Sequence, residues 1–592
     1  MRAPLISKLA AAVAIATAAS ASLAGTAFAA PAQSGITRAG TTVPAASAVV
    51  AAARSAATAH AAATGIGAQN TLVATGVMVD PSGKRHVRFT QTFRGVPVIG
   101  GDIVVHLDSA SKYLGVTRAA TSTVSVPTVT ARLTSQQARD KAAAEVAGGS
   151  AKSAKLVVRH EGNASKLAYQ VQVAGAKGNL EKARTVLVDA ASGAVLSSTP
   201  AADDFISPQV MAKLKAAGER ATPSTGGAAA ATPKLGPAAT FPAPAVGSGA
   251  SLFSGTVALN TTQTAASKFT LVDTTRGKTE IRDAKHSSAL SSTTFNSAAV
   301  LSDTDDKWGN GATSDNVTPA VDAQYGLTST FDFYKKTFNR LGTDDDGVGP
   351  HGVVHYSTGY ANAAWVDECH CMIYGDGDGQ TFTKPLVQLD VTGHELTHGV
   401  VSATAGLQTQ VDPSTGNQIG EPGSLNESLA DIFGSTDEFA TANPNDPGNY
   451  LMGEQLGLAQ GFLRRLDHPS LDKLEGTVDY WSTKAPKTEV HAGSGVSSHA
   501  FYLLAEGSGA KTINGVSYNS PTVDGSTVTG IGRDAAIKIF YQALTRYMVS
   551  TTNFHGARTA TLQAAADLYG SGSTQYATVN KAWAAVNVTA SN

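Results

Sequence analysis

Hydrophobic and polar positions alternate with a period of two along residues 71–125. Val87, Phe89 and alternate positions from Ile103 to Leu107 are apolar, and glycines separate the segments. Such alternation is typical of antiparallel strands with one buried face. Residues 133–200 follow a mixed pattern that predicts one amphipathic helix, 133–146, and then three strands: 156–158, 168–173 and 186–188.

The pattern changes at about residue 251. Residues 255–259 and 269–273 alternate like strands, and a helix is predicted over 320–341. After Leu429 the apolar residues recur mainly with helical spacing, most clearly over 533–549. We therefore predict an α+β protein in which a β-rich lobe precedes a mainly helical lobe.

The strongest chemical signal lies between these two lobes. In His394-Glu395-Leu396-Thr397-His398 the two histidines are four residues apart, on one face of a helix. Two imidazoles at this spacing can bind one zinc ion while the glutamate between them faces the water on the metal. The chain has 14 histidines in 592 residues, so such a motif arises by chance with a probability of about one per cent.

A second stretch supports the metal interpretation. Glu427 and Asp431 are four residues apart, so their carboxylates share a helix face. One acid can bind a metal while the other holds a ligand in place. Two imidazoles and one carboxylate leave the fourth position of a zinc ion open for water, as in catalytic sites. We predict His394, His398 and Glu427 as the ligands of one catalytic zinc.

With these two motifs the sequence resembles the thermolysin-family (gluzincin) neutral metalloproteases over roughly residues 248–590. Residues 91–102 are similar to the fungalysin/thermolysin propeptide module, and residues 133–200 resemble the PepSY module. The resemblance implies a two-lobed fold with zinc in the cleft, preceded by α+β propeptide modules. It also implies a propeptide that assists folding and inhibits the enzyme until removal. The alternative is a permanent substrate-binding domain.

The resemblance and the composition together divide the chain into six segments. Residues 222–249 are rich in Ala, Pro, Gly and Thr, which suits an exposed linker open to proteolytic nicking. The predicted segments are a signal peptide (1–30), a fungalysin/thermolysin-type propeptide module (31–130), a PepSY-like propeptide module (131–202), a linker and maturation region (203–247), a β-rich protease lobe with the zinc helix (248–400) and a helical protease lobe (401–592).

The resemblance assigns catalytic roles residue by residue. Glu395 takes the proton of the attacking water, and Asp431 hydrogen-bonds His394. His491, in Val490-His491-Ala492-Gly493, matches the histidine that stabilises the oxyanion and donates a proton. The alternative for His491 is a partly exposed histidine in a loop.

Further residues are implied to bind the substrate. Asn362 and Ala363 match positions that pair with the substrate backbone, and Arg464 matches an arginine that binds a substrate carbonyl. Arg465 is the competing candidate, although tandem arginines are more often a solvated face. We expect cleavage on the amino side of bulky hydrophobic residues. The residue after the cut would bind in an apolar pocket lined partly by Val391 and Leu463.

The resemblance also implies structural calcium. Asp390, Glu438 and Glu454 match a buried calcium cluster, with Asp446 and Asn449 completing an oxygen cage. Hard oxygen ligands suit calcium rather than zinc. The alternative is that these acids are solvated surface carboxylates.

Charge and the N-terminus bear on location and partners. A net charge of −1 and a pI of about 6.9 give no support to a nucleic-acid partner or to strong attraction toward anionic membranes. Arg2, Lys8, an Ala-rich apolar run and the small residues of Ala27-Phe28-Ala29 predict a secretory signal, with a membrane anchor as the alternative. We expect a secreted, extracellular monomer without stable membrane association, acting on protein and peptide substrates.

Several positions depart from the family pattern. Thr409 stands near the place of a substrate-facing tyrosine, and Pro486 falls where an aspartate would orient His491, leaving Glu489 as the nearest acid. Ala364 replaces an aromatic residue. The two cysteines flank a histidine in Cys369-His370-Cys371 and favour a small-loop disulfide or two thiols over a metal site. A rival hypothesis is therefore a secreted binding protein that has lost turnover.

Overall fold

The computed structural model describes residues 46–220, 240–289, 295 and 298–590. The predicted signal peptide and most of the predicted nicking region, up to residue 239, lie outside the described residues. None of the helices within the described ranges has both the length and the apolar character needed to cross a bilayer.

A nine-stranded sheet organises residues 70–200. Its strands are β1 (Asn70–Val79), β2 (Arg85–Phe93), β3 (Val96–Ile99), β4 (Ile103–Leu107), β5 (Tyr113–Arg118), β6 (Ser150–Glu161), β7 (Ala164–Ala174), β8 (Arg184–Asp189) and β9 (Val195–Pro200). Their order is β5-β4-β2-β3-β6-β7-β8-β9, with β1 paired to β2. The parallel pair β3–β6, in which Val98 is the partner of Val158, joins the two predicted propeptide modules into one sheet.

Three helices accompany this sheet: α1 (Ala46–Ala59), α2 (Ala61–Thr64) and α3 (Ser135–Ala143). Helix α1 buries Ala53 in the same apolar cluster as Val87 and Phe89 of β2. Helix α3 is shorter than the predicted 133–146. Its start is fixed by a capping box, in which the Thr134 side chain accepts from Gln137 N and the Gln137 side chain accepts from Thr134 N.

A strand and a helix follow the sheet: β10 (Ala202–Asp204) and α4 (Pro208–Ala217). Ser207 caps α4 by accepting from Val210 N, and Gly218 closes it in the left-handed conformation with φ 64°. Residues 203–217 fall in the predicted linker and maturation region (203–247), but the structure places most of them in this strand and helix. Four side chains of this stretch are buried in the core of the protease lobes, which explains the difference: Phe205, Ile206, Val210 and Leu214.

The β-rich lobe contains two sheets and one long helix. Its strands are β11 (Ala243–Ala250), β12 (Thr256–Ala265), β13 (Lys268–Thr270), β14 (Val272–Asp273), β15 (Thr279–Asp283), β16 (Ala299–Val300), β17 (Ser302–Asp303), β18 (Lys307–Trp308), β19 (His351–Val354), β20 (Ala363–Val366) and β21 (Cys371–Tyr374). One sheet has the order β17-β13-β12-β11-β18, and the other β10-β20-β21-β19-β15-β14, with β16 paired to β15. The long helix is α5 (Thr318–Phe338). Cys369 and Cys371 form a disulfide beside β21.

Helix α6 (Leu389–Ala403) connects the β-rich lobe to the helical lobe, which contains α7 (Glu421–Thr441), α8 (Val490–Ala505), α9 (Arg533–Gln542), α10 (Phe554–Tyr569) and α11 (Thr574–Ala585). Three short hairpins join them: β22–β23 (Gln410–Val411, Gln418–Ile419), β24–β25 (Leu451–Met452, Arg464–Arg465) and β26–β27 (Gly509–Ile513, Val516–Ser520). One apolar core runs through both lobes and includes Phe333 of α5, Leu396 of α6 and Phe540 of α9. Helix α6 therefore lies at the centre of the protease region.

Candidate active site

Helices α6 and α7 carry the two sequence motifs and pack closely against each other. Glycine permits this approach, because a Cβ on Gly434 would lie 2.7 Å from the carbonyl oxygen of Asp390. His394 and His398 extend from one face of α6, with their Nε2 atoms 3.0 Å apart. Glu427 of α7 places Oε2 3.6 Å from His394 Nε2 and 3.9 Å from His398 Nε2. The three predicted ligands thus converge on one point.

Partners on the far side of each imidazole fix its orientation. His394 Nδ1 lies 2.9 Å from Asp431 Oδ1, and His398 Nδ1 lies 3.1 Å from Asn426 Oδ1. Burial disfavours the charge of Asp431, but Arg464 and His394 outweigh burial and lower the pKa of this carboxyl. Asn426 was missed by the sequence analysis, although it directly precedes Glu427. Both histidines therefore present Nε2 to the same point.

The buried atoms at this point suit a zinc ion. Three ligand atoms, one each from His394, His398 and Glu427, lie within 4.8 Å of one another. Glu427 Oε2 is buried and has no hydrogen-bond partner among the described residues. Burial lowers the pKa of His398 to about 4, which leaves its imidazole neutral, the form that binds metals. Two imidazoles and one carboxylate form the donor set of a catalytic zinc with one position left for water.

Glu395 lies beside the ligands without joining them. Its Oε2 accepts a hydrogen bond from the backbone N–H of Trp365 at 2.9 Å, and its Oε1 is buried without a hydrogen-bond partner among the described residues. Burial, followed by the negative charge of Glu427, raises the pKa of Glu395 well above its usual range. A bound cation would cancel the second of these causes.

His491 lies in the first turn of α8 rather than in the loop considered as an alternative. Glu489 caps this helix and holds the imidazole, with Oε1 2.9 Å from His491 Nδ1. The acid that orients His491 is therefore Glu489, which the sequence left in doubt. On its other side, His491 Nε2 lies 3.0 Å from the carbonyl oxygen of Asp204 and 3.4 Å from Glu427 Oε2.

The predicted substrate-binding residues contact a segment of the chain itself. Phe205 N donates to Ala363 O at 3.1 Å, and Arg464 Nη1 donates to Phe205 O at 3.1 Å. Asn362 binds both backbone groups of Ile206, with Oδ1 accepting from N and Nδ2 donating to O, each at 3.0 Å. Phe205 and Ile206 are both buried, and the ring centroid of Phe205 is 5.1 Å from that of His394.

Comparison with other proteins decides the family. Models of the thermolysin metallopeptidase catalytic domain and alpha-helical domain match residues 246–402 and 417–588, and the fungalysin/thermolysin propeptide motif matches residues 70–120. Thermolysin from Bacillus sp. (strain EA1) is 33% identical over 544 residues, covering 88% of this chain and 86% of that protein. The chain belongs to the thermolysin family of metallopeptidases. The predicted two-lobed α+β fold of that family is confirmed.

Two further relatives of this thermolysin-family chain differ in coverage. A transglutaminase-activating metalloprotease of Streptomyces mobaraensis is 37% identical over 533 residues, covering 88% of this chain and 62% of that protein. The solved precursor of protealysin, a metalloproteinase from Serratia proteamaculans, is 28% identical, covers 52% of this chain and 87% of that chain, and has a TM-score of 0.39. The PepSY-like assignment of residues 131–202 stays a prediction.

The acids that the thermolysin-family resemblance assigns to calcium lie together near the first turn of α6, which carries Asp390. Carboxylate oxygens of Asp390, Glu438 and Glu454 lie within 4.8 Å of one another. Glu438 Oε1, Glu454 Oε2 and Asp446 Oδ2 are buried without hydrogen-bond partners among the described residues. Burial and the neighbouring acids raise the pKa of Glu438 well above its usual range, and burial with Asp390 raises that of Asp446 to about 7. A hard divalent cation would relieve this repulsion.

Proposed function

We propose that this chain is the precursor of a secreted, zinc-dependent endopeptidase that cuts on the amino side of bulky hydrophobic residues. The convergence of the His394, His398 and Glu427 ligand atoms beside the unpaired Oε1 of Glu395 supports the reaction most directly. Zinc, when bound there, supplies a Lewis acid for the scissile carbonyl and lowers the pKa of water.

The residues around that point divide the remaining work. Glu395 holds the carboxylate that takes a proton from the attacking water, since its Oε1 is buried and unpaired. His491, oriented by Glu489, donates from Nε2 to the oxygen of the scissile carbonyl as negative charge develops there. Arg464 and Asn362 hold the backbone after the scissile bond, as they hold Phe205 and Ile206.

The propeptide is proposed to inhibit the protease as well as to assist its folding. Residues 204–206 contact the cleft, as described above. The propeptide also binds the helical lobe directly, through the nine-stranded sheet and the loop that follows β1. Arg88 Nη2 donates to Met548 O at 2.9 Å, and Arg546 Nε donates to Asp80 Oδ1 at 2.5 Å. These contacts from a separate surface would keep the inhibitory segment near the cleft.

The reaction is tested with the processed protein recovered from the culture medium after expression with its own N-terminus. We expect one zinc per protein, cleavage of casein, loss of cleavage when a zinc chelator removes the metal, and recovery when zinc is returned. Metal content is measured by mass spectrometry. A zinc-loaded protein that does not cleave casein or any peptide would favour the rival binding function, and an intracellular product would contradict secretion.

Specificity is tested with peptides that differ only in the residue after the cut. The pocket that holds the Phe205 side chain is bounded by His394 and Arg464. The guanidinium carbon of Arg464 lies 5.0 Å from the ring centroid of Phe205. Burying a large apolar side chain is worth about 1.5–3 kcal/mol, so we expect Phe and Leu to exceed Ala in kcat/KM by about 10- to 100-fold. Varying a residue three positions before the cut serves as the control. Equal rates for Phe, Ala and Asp would contradict the pocket assignment.

We also propose that the cluster of Asp390, Glu438, Asp446 and Glu454 binds structural calcium. Calcium at 100 times its Kd is expected to stabilise the intact Glu395→Gln precursor by about 2.7 kcal/mol, measured as a shift in thermal unfolding relative to a calcium-selective chelator. Glu438→Gln should unfold at a higher temperature in the chelator, because a neutral amide avoids the cost of burying this carboxyl beside the other acids, and should lose the calcium shift.

The matched control for this calcium experiment is Glu145→Gln, an exposed glutamate of the propeptide. It should keep the full calcium shift. An undiminished shift in Glu438→Gln would show that the cation binds elsewhere.

A further inference from the structure

A glutamate of the helical lobe contacts the segment that lies in the cleft. The Asp204 carbonyl oxygen occupies the place of a scissile carbonyl, so Ser207 stands where the third residue after a cut would bind. Ser207 Oγ donates a hydrogen bond to Glu475 Oε2 at 2.7 Å. Glu475 is not among the substrate-binding residues predicted from the sequence.

We propose that Glu475 is a specificity-determining residue of the processed protease. Its carboxylate accepts a hydrogen bond from a hydroxyl group on the third residue after the cut and excludes an acidic residue at that position. The proposal rests on the endopeptidase function proposed above and extends its specificity beyond the first residue after the cut. The preferred substrates are therefore peptides with a large apolar residue directly after the cut and a serine two positions later.

A buried aspartate holds the loop that carries Glu475. The carboxylate of Asp472 accepts from Leu474 N at 2.7 Å and from Glu475 N at 3.1 Å. Thr477 Oγ1 and Gln460 Nε2 donate to the same carboxylate at 2.6 and 3.0 Å. All of these atoms belong to the protease region, so the loop keeps these bonds when the cleft segment leaves. A substrate therefore meets a Glu475 whose backbone is already in place.

The Glu475 carboxylate needs a donor when a peptide covers it. Its side chain is 1% exposed beneath the cleft segment, and its Oε1 has no hydrogen-bond partner among the described residues. Arg464 Nη1 is 3.7 Å from Oε1 and donates instead to Phe205 O. Burying a carboxylate without hydrogen bonds is costly, and the Ser207 hydroxyl supplies one. An apolar third residue leaves Oε2 without this donor.

The charges around Glu475 disfavour an acidic third residue. One ring nitrogen of His491 and one carboxylate oxygen each of Glu475 and Glu489 lie within 4.8 Å of one another. Burial raises the pKa of Glu475, whereas the positive charges of His491 and Arg464 and the hydrogen bond from Ser207 lower it. The two acids are thus already matched by two basic groups. An aspartate in the place of Ser207 would bring a further negative charge into this buried site.

The test uses the processed wild-type enzyme and peptides that differ only in the third residue after the cut. Each peptide has phenylalanine and isoleucine at the first two positions and serine, alanine or aspartate at the third, and product masses verify the cut before phenylalanine. We expect kcat/KM to fall about 10-fold from serine to alanine and about 100-fold from serine to aspartate. The control exchanges serine and alanine at the fourth position, which corresponds to the exposed Pro208, and should leave kcat/KM unchanged.

Two variants connect the preference to Glu475. Glu475→Ala removes the acceptor, so the serine and alanine peptides should be cut with equal kcat/KM. Glu475→Gln keeps an acceptor oxygen but removes the charge, so the aspartate peptide should gain about 10-fold relative to the serine peptide. Ratios between peptides within one enzyme cancel any general loss of activity in a variant. Glu368→Gln, at an exposed glutamate of the protease region, is the matched control and should keep both wild-type ratios.

The outcomes separate this inference from the proposed function. The wild-type peptide series needs no variant, so it decides the matter even if the Glu475 variants do not fold. Equal kcat/KM for serine, alanine and aspartate would overturn the inference while the endopeptidase function stands, and Glu475 would then only anchor the propeptide. An unchanged preference in Glu475→Ala would assign the selection to another residue and also overturn it. If the zinc-loaded enzyme cuts neither casein nor any peptide, the proposed function fails first and this inference falls with it.

Discussion

Glu395→Gln is expected to lower kcat/KM for a peptide substrate by about 10³- to 10⁴-fold, in the upper range for loss of a general base. The amide has nearly the same shape and keeps an oxygen for the hydrogen bond from Trp365 N, which Glu395 Oε2 accepts at 2.9 Å. It cannot take a proton from water. The three ligand side chains are unchanged, so bound zinc should stay at one per protein. Activity is measured with a fluorogenic peptide and zinc by mass spectrometry.

The matched control is Glu368→Gln, an exposed glutamate of the protease region, which should retain normal activity and zinc. Glu395→Asp keeps the carboxylate but shortens its reach, so its activity should lie between those of the wild type and Glu395→Gln. Normal turnover in Glu395→Gln would exclude Glu395 as the base. Loss of zinc together with activity would instead make this residue a support of the metal site.

The zinc motif was predictable because its geometry is local. Residues four apart on a helix share a face, so His394 with His398, and Glu427 with Asp431, could be paired without knowledge of the fold. Their meeting across α6 and α7 followed from the family resemblance. The close packing of the helices depends on Gly434, whose role becomes visible only when the two backbones are side by side.

Contacts between distant parts of the chain were not predictable in the same way. Residues 203–217 lie in the predicted linker and maturation region, and their burial arises from partners such as Asn362 and Arg464, each more than 140 residues away. The sequence left the support of His491 in doubt. Pro486 stands where the family has an orienting aspartate and Glu489 is the nearest acid, but only the fold shows that the helix N-cap brings Glu489 to Nδ1. The effect of Thr409 on turnover stays a prediction.

The second large effect is expected at His491. His491→Ala should lower kcat by about 10²- to 10³-fold, the loss typical of one oxyanion donor, while KM changes little. The reason is geometric, because Nε2 lies 3.0 Å from the Asp204 carbonyl oxygen, which occupies the place of a scissile carbonyl. Charge grows on that oxygen as the reaction proceeds, so the hydrogen bond is stronger in the transition state than in the bound substrate. Steady-state kinetics on the fully processed enzyme separate the two constants.

Glu489→Gln distinguishes positioning from direct donation at the same site. The amide can still cap α8, but the charged hydrogen bond to His491 Nδ1 is lost. Hydrogen bonds to charged groups are worth about 1.5–3 kcal/mol, so kcat should fall by about 10- to 100-fold, less than for His491→Ala. In the double variant the Glu489 change should add almost nothing, because its effect acts through the missing imidazole. Additive losses would place Glu489 in a separate role. The control is His286→Ala, at a histidine whose side chain is 59% exposed, which should leave kcat unchanged.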